Sequence, residues 1–350
     1  MSAAFGPFAA SFLSPATGFV LGGVGCRFGV NGAQRLCKPV VVATADGGRD
    51  WRGVSSPPTT LAPVGGLGMA GPAVKAITFA DARDGWLFGP GLWATHDGGN
   101  HWARVAMKAQ VNGVVASGGW VYATTVSLVG GFSLFRSPLG REDWQPVGSL
   151  AATTSPPVAL LAAFGRAAWV GVLARNPKPT SVPELWRTAE GAHWQLIGNP
   201  CASASQTLLS VTATTATDLA MLCSGSTHEQ IVTSSDGGIH TRQIAPTPTG
   251  SYFGVVAAPL GQSKIVVLAS PSDVVLPANL LAGVHSVLDR TIDGGRSWTS
   301  TTYGDRGIGW ADLEFVSPTV AWVVHGFPGA SNDQLMQTTD AGATFKPVPF

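Results

Sequence analysis

Six carboxylates recur along the chain in nearly the same setting. Asp46, Asp97, Asp236 and Asp293 each stand two residues after a Ser or Thr and directly before two glycines. Asp340 sits in TTDAGATF and Glu190 in the shortened copy TAEGAHW. A carboxylate beside a hydroxyl could act as a general acid or a metal ligand. Copies dispersed along 350 residues, however, cannot all converge on one substrate. The repeated chemistry therefore reads as turn chemistry. The hydroxyl and the carboxylate accept hydrogen bonds from nearby backbone N–H groups, and the glycines supply positive φ. The closing aromatics Trp51, Trp102, Trp144, Trp194 and Trp298 begin the next strand and are expected to pack on their own repeat and its neighbour.

Little else has the spacing of a reaction centre. A glycosidase needs two carboxylates facing one cleft, roughly 5 to 9.5 Å apart. Asp312 and Glu314 flank Leu313, so on a strand they share one face and could line a channel. A coupled pair there would favour catalysis. His96, His101, His193 and His240 belong to the repeated turns, which leaves His228, His285 and His325 as scattered, solvated loop residues. No G-x-S-x-G, H-E-x-x-H or P-loop is present. No catalytic residue, metal or cofactor is expected.

The elements that position these turns follow from the repeat. Taking the third position of each copy, including Leu139 in SPLGREDW, gives 46, 97, 139, 190, 236, 293 and 340, spaced by 42 to 57 residues. That period suits a four-stranded propeller blade. Around each copy lie a short apolar run, a tight turn, an aromatic-rich run, a variable loop and the strand entering the turn. In the second repeat these read VKAITF, ADARD, GWLFG, LWAT, DGGNH and WARV. The fold class expected is all-β, a seven-bladed β-propeller with the repeated turn between strands C and D. One domain spans 1–350, with blades at about 1–54, 74–106, 110–148, 157–197, 207–245, 252–301 and 308–350.

The motif S/T-x-D-G-G-x-x-W resembles the Asp-box, or bacterial neuraminidase repeat. With Gly85-Trp86 and Gly89 upstream, the chain is similar to propellers related to photosystem II assembly and stability factors. Sialidases, sortilin-type receptors and xyloglucan hydrolases share the box. The sialidase resemblance stops there. Phe135-Arg136-Ser137-Pro138 looks like that family's F-R-I-P motif, but it lies in the third repeat. Arg136 then aligns with Arg187 and Arg290 as a box-edge residue. Sialidase propellers also have six blades.

Charged residues make up 12% of the chain and the formal net charge is +1, which argues against nucleic-acid or anionic-membrane binding by bulk charge. No apolar run is long enough to span a bilayer. Cys26, Cys37, Cys201 and Cys223 match no zinc spacing and fall as two local pairs, the pattern of two disulfides in an oxidising compartment. Buried free thiols are the alternative. The chain start lacks the features of a signal peptide. Either the protein is cytosolic or its leader is absent from this chain; the paired cysteines favour the second, an extracytoplasmic protein.

Loop length points to the site. The long segments 22–39, 55–73, 175–183, 270–285 and 326–333 all fall on the face opposite the boxes, and the cysteines follow them. Binding residues concentrate on such loops. The candidates on that face are Asp273, His285, Tyr303, Asp305, Arg306, Trp310, His325 and Asp333; Trp310, near the channel mouth, reads either as an exposed aromatic anchor or as a core tryptophan. The expectation is a monomeric, non-catalytic scaffold that binds a protein or glycan partner there. A secreted Asp-box glycoside hydrolase is the alternative.

Overall fold

The computed structural model describes residues 5–24, 26, 37–62, 72–127, 132–148, 158–173, 184–191, 193–201, 206–224, 229–244, 252–257, 265–271, 286–303, 310–326 and 333–350. These residues form a β-propeller of four-stranded antiparallel blades and contain no helix. Seven such sheets are present, each built from four strands in chain order. Continuous Val, Ile, Leu and aromatic runs bounded by Gly, Ser and Thr turns favour strands of this kind.

The inner strands are Phe5–Phe12, Ala76–Phe79, Gln110–Ser117, Val158–Phe164, Leu208–Ala213, Tyr252–Ala257 and Trp310–Phe315. Each touches the inner strands of both flanking sheets, and the last touches the first. The second strand of a sheet is covered on both faces. Gly85–Phe88, Leu219–Cys223 and Ala321–His325 are accordingly buried along their whole lengths. This explains why these segments read as unbroken apolar runs, where a half-solvated strand would alternate.

The core lies between sheets. Phe8, Phe19 and Leu21 of the first sheet pack with Ile77, Phe79 and Leu87 of the second. The rings of Phe19 and Phe79 stack at 3.5 Å. Each chain end supplies a complete sheet of its own, so no shared sheet joins the first blade to the last. Side chains do this instead. Phe12 stacks on Trp322 at 3.8 Å, Phe5 meets Phe350 at 4.5 Å, and the Trp51 indole donates to the Pro349 carbonyl at 3.0 Å.

Candidate functional site

The repeated turns hold their carboxylates in local service. In the first, the Thr44 hydroxyl donates to Asp46 at 2.8 Å and accepts from the Gly48 N–H at 2.9 Å. Asp46 Oδ1 also accepts from the N–H groups of Arg49 and Asp50, each at 3.0 Å. The hydroxyl-to-carboxylate bond and the N–H closure repeat at Asp97, Asp236, Asp293 and Asp340. Hydrogen bonds from His101, His240 and Ser297 hold Asp97, Asp236 and Asp293 down to about 2. Carboxylates so engaged stay ionised and are poor proton donors.

Two copies depart from the pattern. Thr188 accepts from the Gly191 N–H at 2.8 Å, while Glu190 reaches out to His193. Where Leu139 replaces the acid, the Ser137 hydroxyl turns to the Arg141 carbonyl at 2.8 Å. Glu142 of the same turn accepts from the indoles of Trp86 and Trp144 at 3.1 and 2.6 Å. His96 stands 2.5 Å from Asp84 and 3.4 Å from Glu142. Burial raises Glu142, and the two indole bonds oppose that rise. The cluster ties the second sheet to the third.

The box-edge arginines do similar work. Arg136 donates to the Gly191 carbonyl at 2.6 Å, Arg187 to Ala216 at 3.4 Å and Arg290 to Ala341 at 3.1 Å, each in the next sheet. They do not converge on a common carboxylate ligand.

On the face opposite the boxes, Tyr303, Trp310 and His325 come together. The Tyr303 and Trp310 rings meet edge-on at 5.2 Å, and Trp310 lies 4.1 Å from His325. Trp310 and His325 are buried, at 9% and 5% exposure. Of the two readings of Trp310 the core tryptophan is the one found, wedged between Tyr303 and His325. His325 likewise belongs to a packed strand end, where burial lowers it to about 4, and is no solvated loop residue. Asp333 is buried too, against the backbone at Gly326. Asp273, His285, Asp305, Arg306 and His228 lie outside the described residues. Cys26 is bonded to Cys37 and Cys201 to Cys223, with Cα separations of 5.6 and 5.8 Å.

Sequence reasoning missed a cavity of about 390 Å³ on the same face, between the second and third sheets. Pro90, Leu92, Val105, Met107 and Val126 give it an apolar wall, with Arg104 and Lys108 exposed at its edge. The only signal in the sequence is RVAMK, an apolar-basic alternation in a D–A connection.

A second cavity, of about 510 Å³, is lined by the inner strands of the fourth, fifth and seventh sheets. Segments so far apart around the ring meet only at its axis, so this is the box-side mouth of the central channel. Glu314 is in its wall. Asp312 Oδ2 accepts from the Ala10 N–H at 3.2 Å, and Glu314 Oε2 from the Phe12 N–H at 3.3 Å. Both side chains present surface to the channel and are crowded by the surrounding protein. That crowding disfavours charge and outweighs the single hydrogen bond each accepts, raising Asp312 to about 6 and Glu314 to about 7. Lys75 is lowered by the same surroundings, and its charge acts on Asp312. The two acids are neighbours on one strand, engaged by one opposing strand. A glycosidase pair would face across a cleft instead. Among the described residues no group of three could hold a metal ion, and no helix is long and apolar enough to cross a membrane.

No protein-family model matches the chain, and no curated protein does. Solved structures do. The chain is similar to YCF48. Compared with YCF48 bound to a D1 peptide it is 15% identical with a TM-score of 0.59, covering 97% of this chain and 94% of that one. With YCF48 from Cyanidioschyzon merolae the values are 13% and 0.60, over 98% and 97%. A GH74 xyloglucanase from Xanthomonas campestris gives 13% and 0.53, over 98% of this chain and 72% of that one. At such identities the likeness establishes the fold alone, since one fold hosts many functions.

Proposed function

We propose that the chain is one seven-bladed propeller serving as a non-catalytic, extracytoplasmic scaffold, which engages a protein partner through the face opposite the boxes. The observation that carries this reading is the cavity between the second and third sheets. It lies on that face, has an apolar wall and carries Arg104 and Lys108 at its edge. An apolar floor with a few placed charges is the usual make-up of a recognition pocket. YCF48, whose structure with a D1 peptide has this fold, is a precedent for peptide binding by such a propeller. The two disulfides support a location in an oxidising compartment.

The test is affinity capture from the envelope fraction of the source organism, followed by a binding assay with the purified partner. Wild type and Asp293→Asn should retain the partner. Lys108→Glu combined with Ala109→Trp should lose it. Equal retention by all three, or equal loss in the pocket and box variants, overturns the proposal. Recovery of an oligosaccharide in place of a protein would also overturn it.

The second reading, a secreted glycoside hydrolase, draws on Asp312 and Glu314 in the channel. It requires turnover of a β-glucan oligosaccharide that disappears in Glu314→Gln.

A further inference from the structure

The axial cavity lies at the other end of the molecule from the pocket above and is independent of that reading. Its wall is apolar at Leu161, Val211, Leu313 and Phe315, and Phe164 is 45% exposed at the box-side surface. In this lining one titratable side chain is present, Glu314. Its Oε2 takes the Phe12 N–H, and no hydrogen bond to a cation reaches it among the described residues. The charged group that acts on it is Asp312 on its own strand. Lys75 acts on Asp312, so it does not serve as the counter-charge of Glu314.

Asp312 shows that this strand is shaped to present its acids. It has φ +54°, and pairing with the neighbouring strand slips between Ala311 and Glu314. A non-glycine residue in that region is held there against its own preference by its surroundings. The bulge re-aims the two carboxylates toward the axis, a common use of such irregularities.

A volume of about 510 Å³ is within the range of small-molecule sites. Apolar side chains, with the hydroxyls of Thr212, Thr214 and Ser317 among them, surround one carboxylate without a counter-ion, a setting that suits a cation with an apolar body. We propose that the box-side mouth of the channel binds a small primary ammonium ion carried on a short unbranched apolar chain, with Glu314 as its counter-charge. The alkyl chain lies against Leu161, Val211 and Phe315, and the ammonium donates to the Glu314 oxygen that Phe12 leaves open.

The experiment compares three probes of one shape, n-hexylammonium, n-hexanol and n-hexanoate, on methyl-labelled protein at pH 8, where Glu314 is ionised. The Leu161, Val211 and Leu313 methyl resonances should shift saturably with n-hexylammonium. They should respond about tenfold more weakly to n-hexanol, as fits one charge-assisted hydrogen bond, and not to n-hexanoate. Glu314→Gln keeps an acceptor for the Phe12 N–H and should bind the ammonium and the alcohol equally. Equal binding of both probes by wild type overturns the proposal, as does the absence of saturable shifts at these methyls. The wild-type series decides the matter even where the variant does not fold.

Discussion

The carboxylate of Asp312 accepts a hydrogen bond from the main-chain N–H of Ala10, 302 residues earlier in the chain. Two positions on, Glu314 does the same for Phe12. The inner edge of the first sheet would otherwise point these donors at the channel without a protein partner. Since each terminal sheet is built from its own contiguous segment, the pair is the polar part of the ring's seam. The Phe12–Trp322 stack is its apolar part.

Removing one acceptor should loosen that seam. Glu314→Ala leaves the Phe12 N–H without its bond and should cost about 1 kcal/mol in urea unfolding. Glu314→Gln, which still accepts, should stay within about 0.5 kcal/mol of wild type. Equal losses in the two variants would show that the bond contributes nothing.

The pH dependence has two limbs of opposite sign. Asp97, Asp236 and Asp293 are held at about 2 in the fold against 3.8 outside it. Their contribution is complete above about pH 4 and is lost as pH falls toward 2. Asp312 and Glu314 are raised to about 6 and about 7 from 3.8 and 4.5. The unfolded chain releases those protons first, so their contribution is complete below about pH 4 and is lost as pH rises to 7. His325, lowered to about 4 from 6.5, loses stability over part of the same range as pH falls. The difference between wild type and Asp312→Asn/Glu314→Gln isolates the channel pair. Wild-type stability relative to this variant should decline steadily between pH 4 and 7. A flat difference would refute the assignment.

Backbone strain is visible where one repeat lacks its glycine. Gly98 has φ +72°, and Ala341 at the equivalent position has φ +58°. The left-handed region costs a non-glycine residue about 1 to 2 kcal/mol. Ala341→Gly relieves this while losing a buried methyl and gaining unfolded-state freedom. It should therefore be neutral to stabilising, whereas Gly98→Ala should cost more than about 1 kcal/mol. There a Cβ would also stand 2.8 Å from the Ala82 carbonyl oxygen. Thermal unfolding of both variants checks this, and a loss above about 1 kcal/mol in Ala341→Gly would contradict it.

What could be read from the sequence was what is decided locally. Thr44, Asp46 and Gly48 lie within five residues, and their bonds follow from their types. The all-β class and the two cysteine pairings came from equally short-range patterns. The seam was half legible. Asp312 and Glu314 stood out as acids on an apolar strand, but their aim depends on a bulge and a positive φ that no local pattern announces. Trp310 stays ambiguous in the sequence for the same kind of reason. Its burial depends on Tyr303 of the preceding sheet and on His325, and periodicity along one strand does not show what the next sheet brings. The pocket edged by Arg104 and Lys108 is formed by two sheets and has no motif at all.

The Cys201–Cys223 bond closes a segment of 22 residues. Both residues are buried in the cluster around Trp169 and Leu208. The loss on replacing both by Ala is chiefly the restored freedom of the unfolded chain, about 3 kcal/mol for a loop of this length. Urea unfolding of Cys201→Ala/Cys223→Ala should show that loss with an unchanged native circular dichroism spectrum. Protein taken from its native compartment should yield no free thiol under denaturing alkylation and two linked peptide pairs, 26–37 and 201–223. Recovery of four alkylated cysteines would overturn both the bonded state and the oxidising location proposed for the chain.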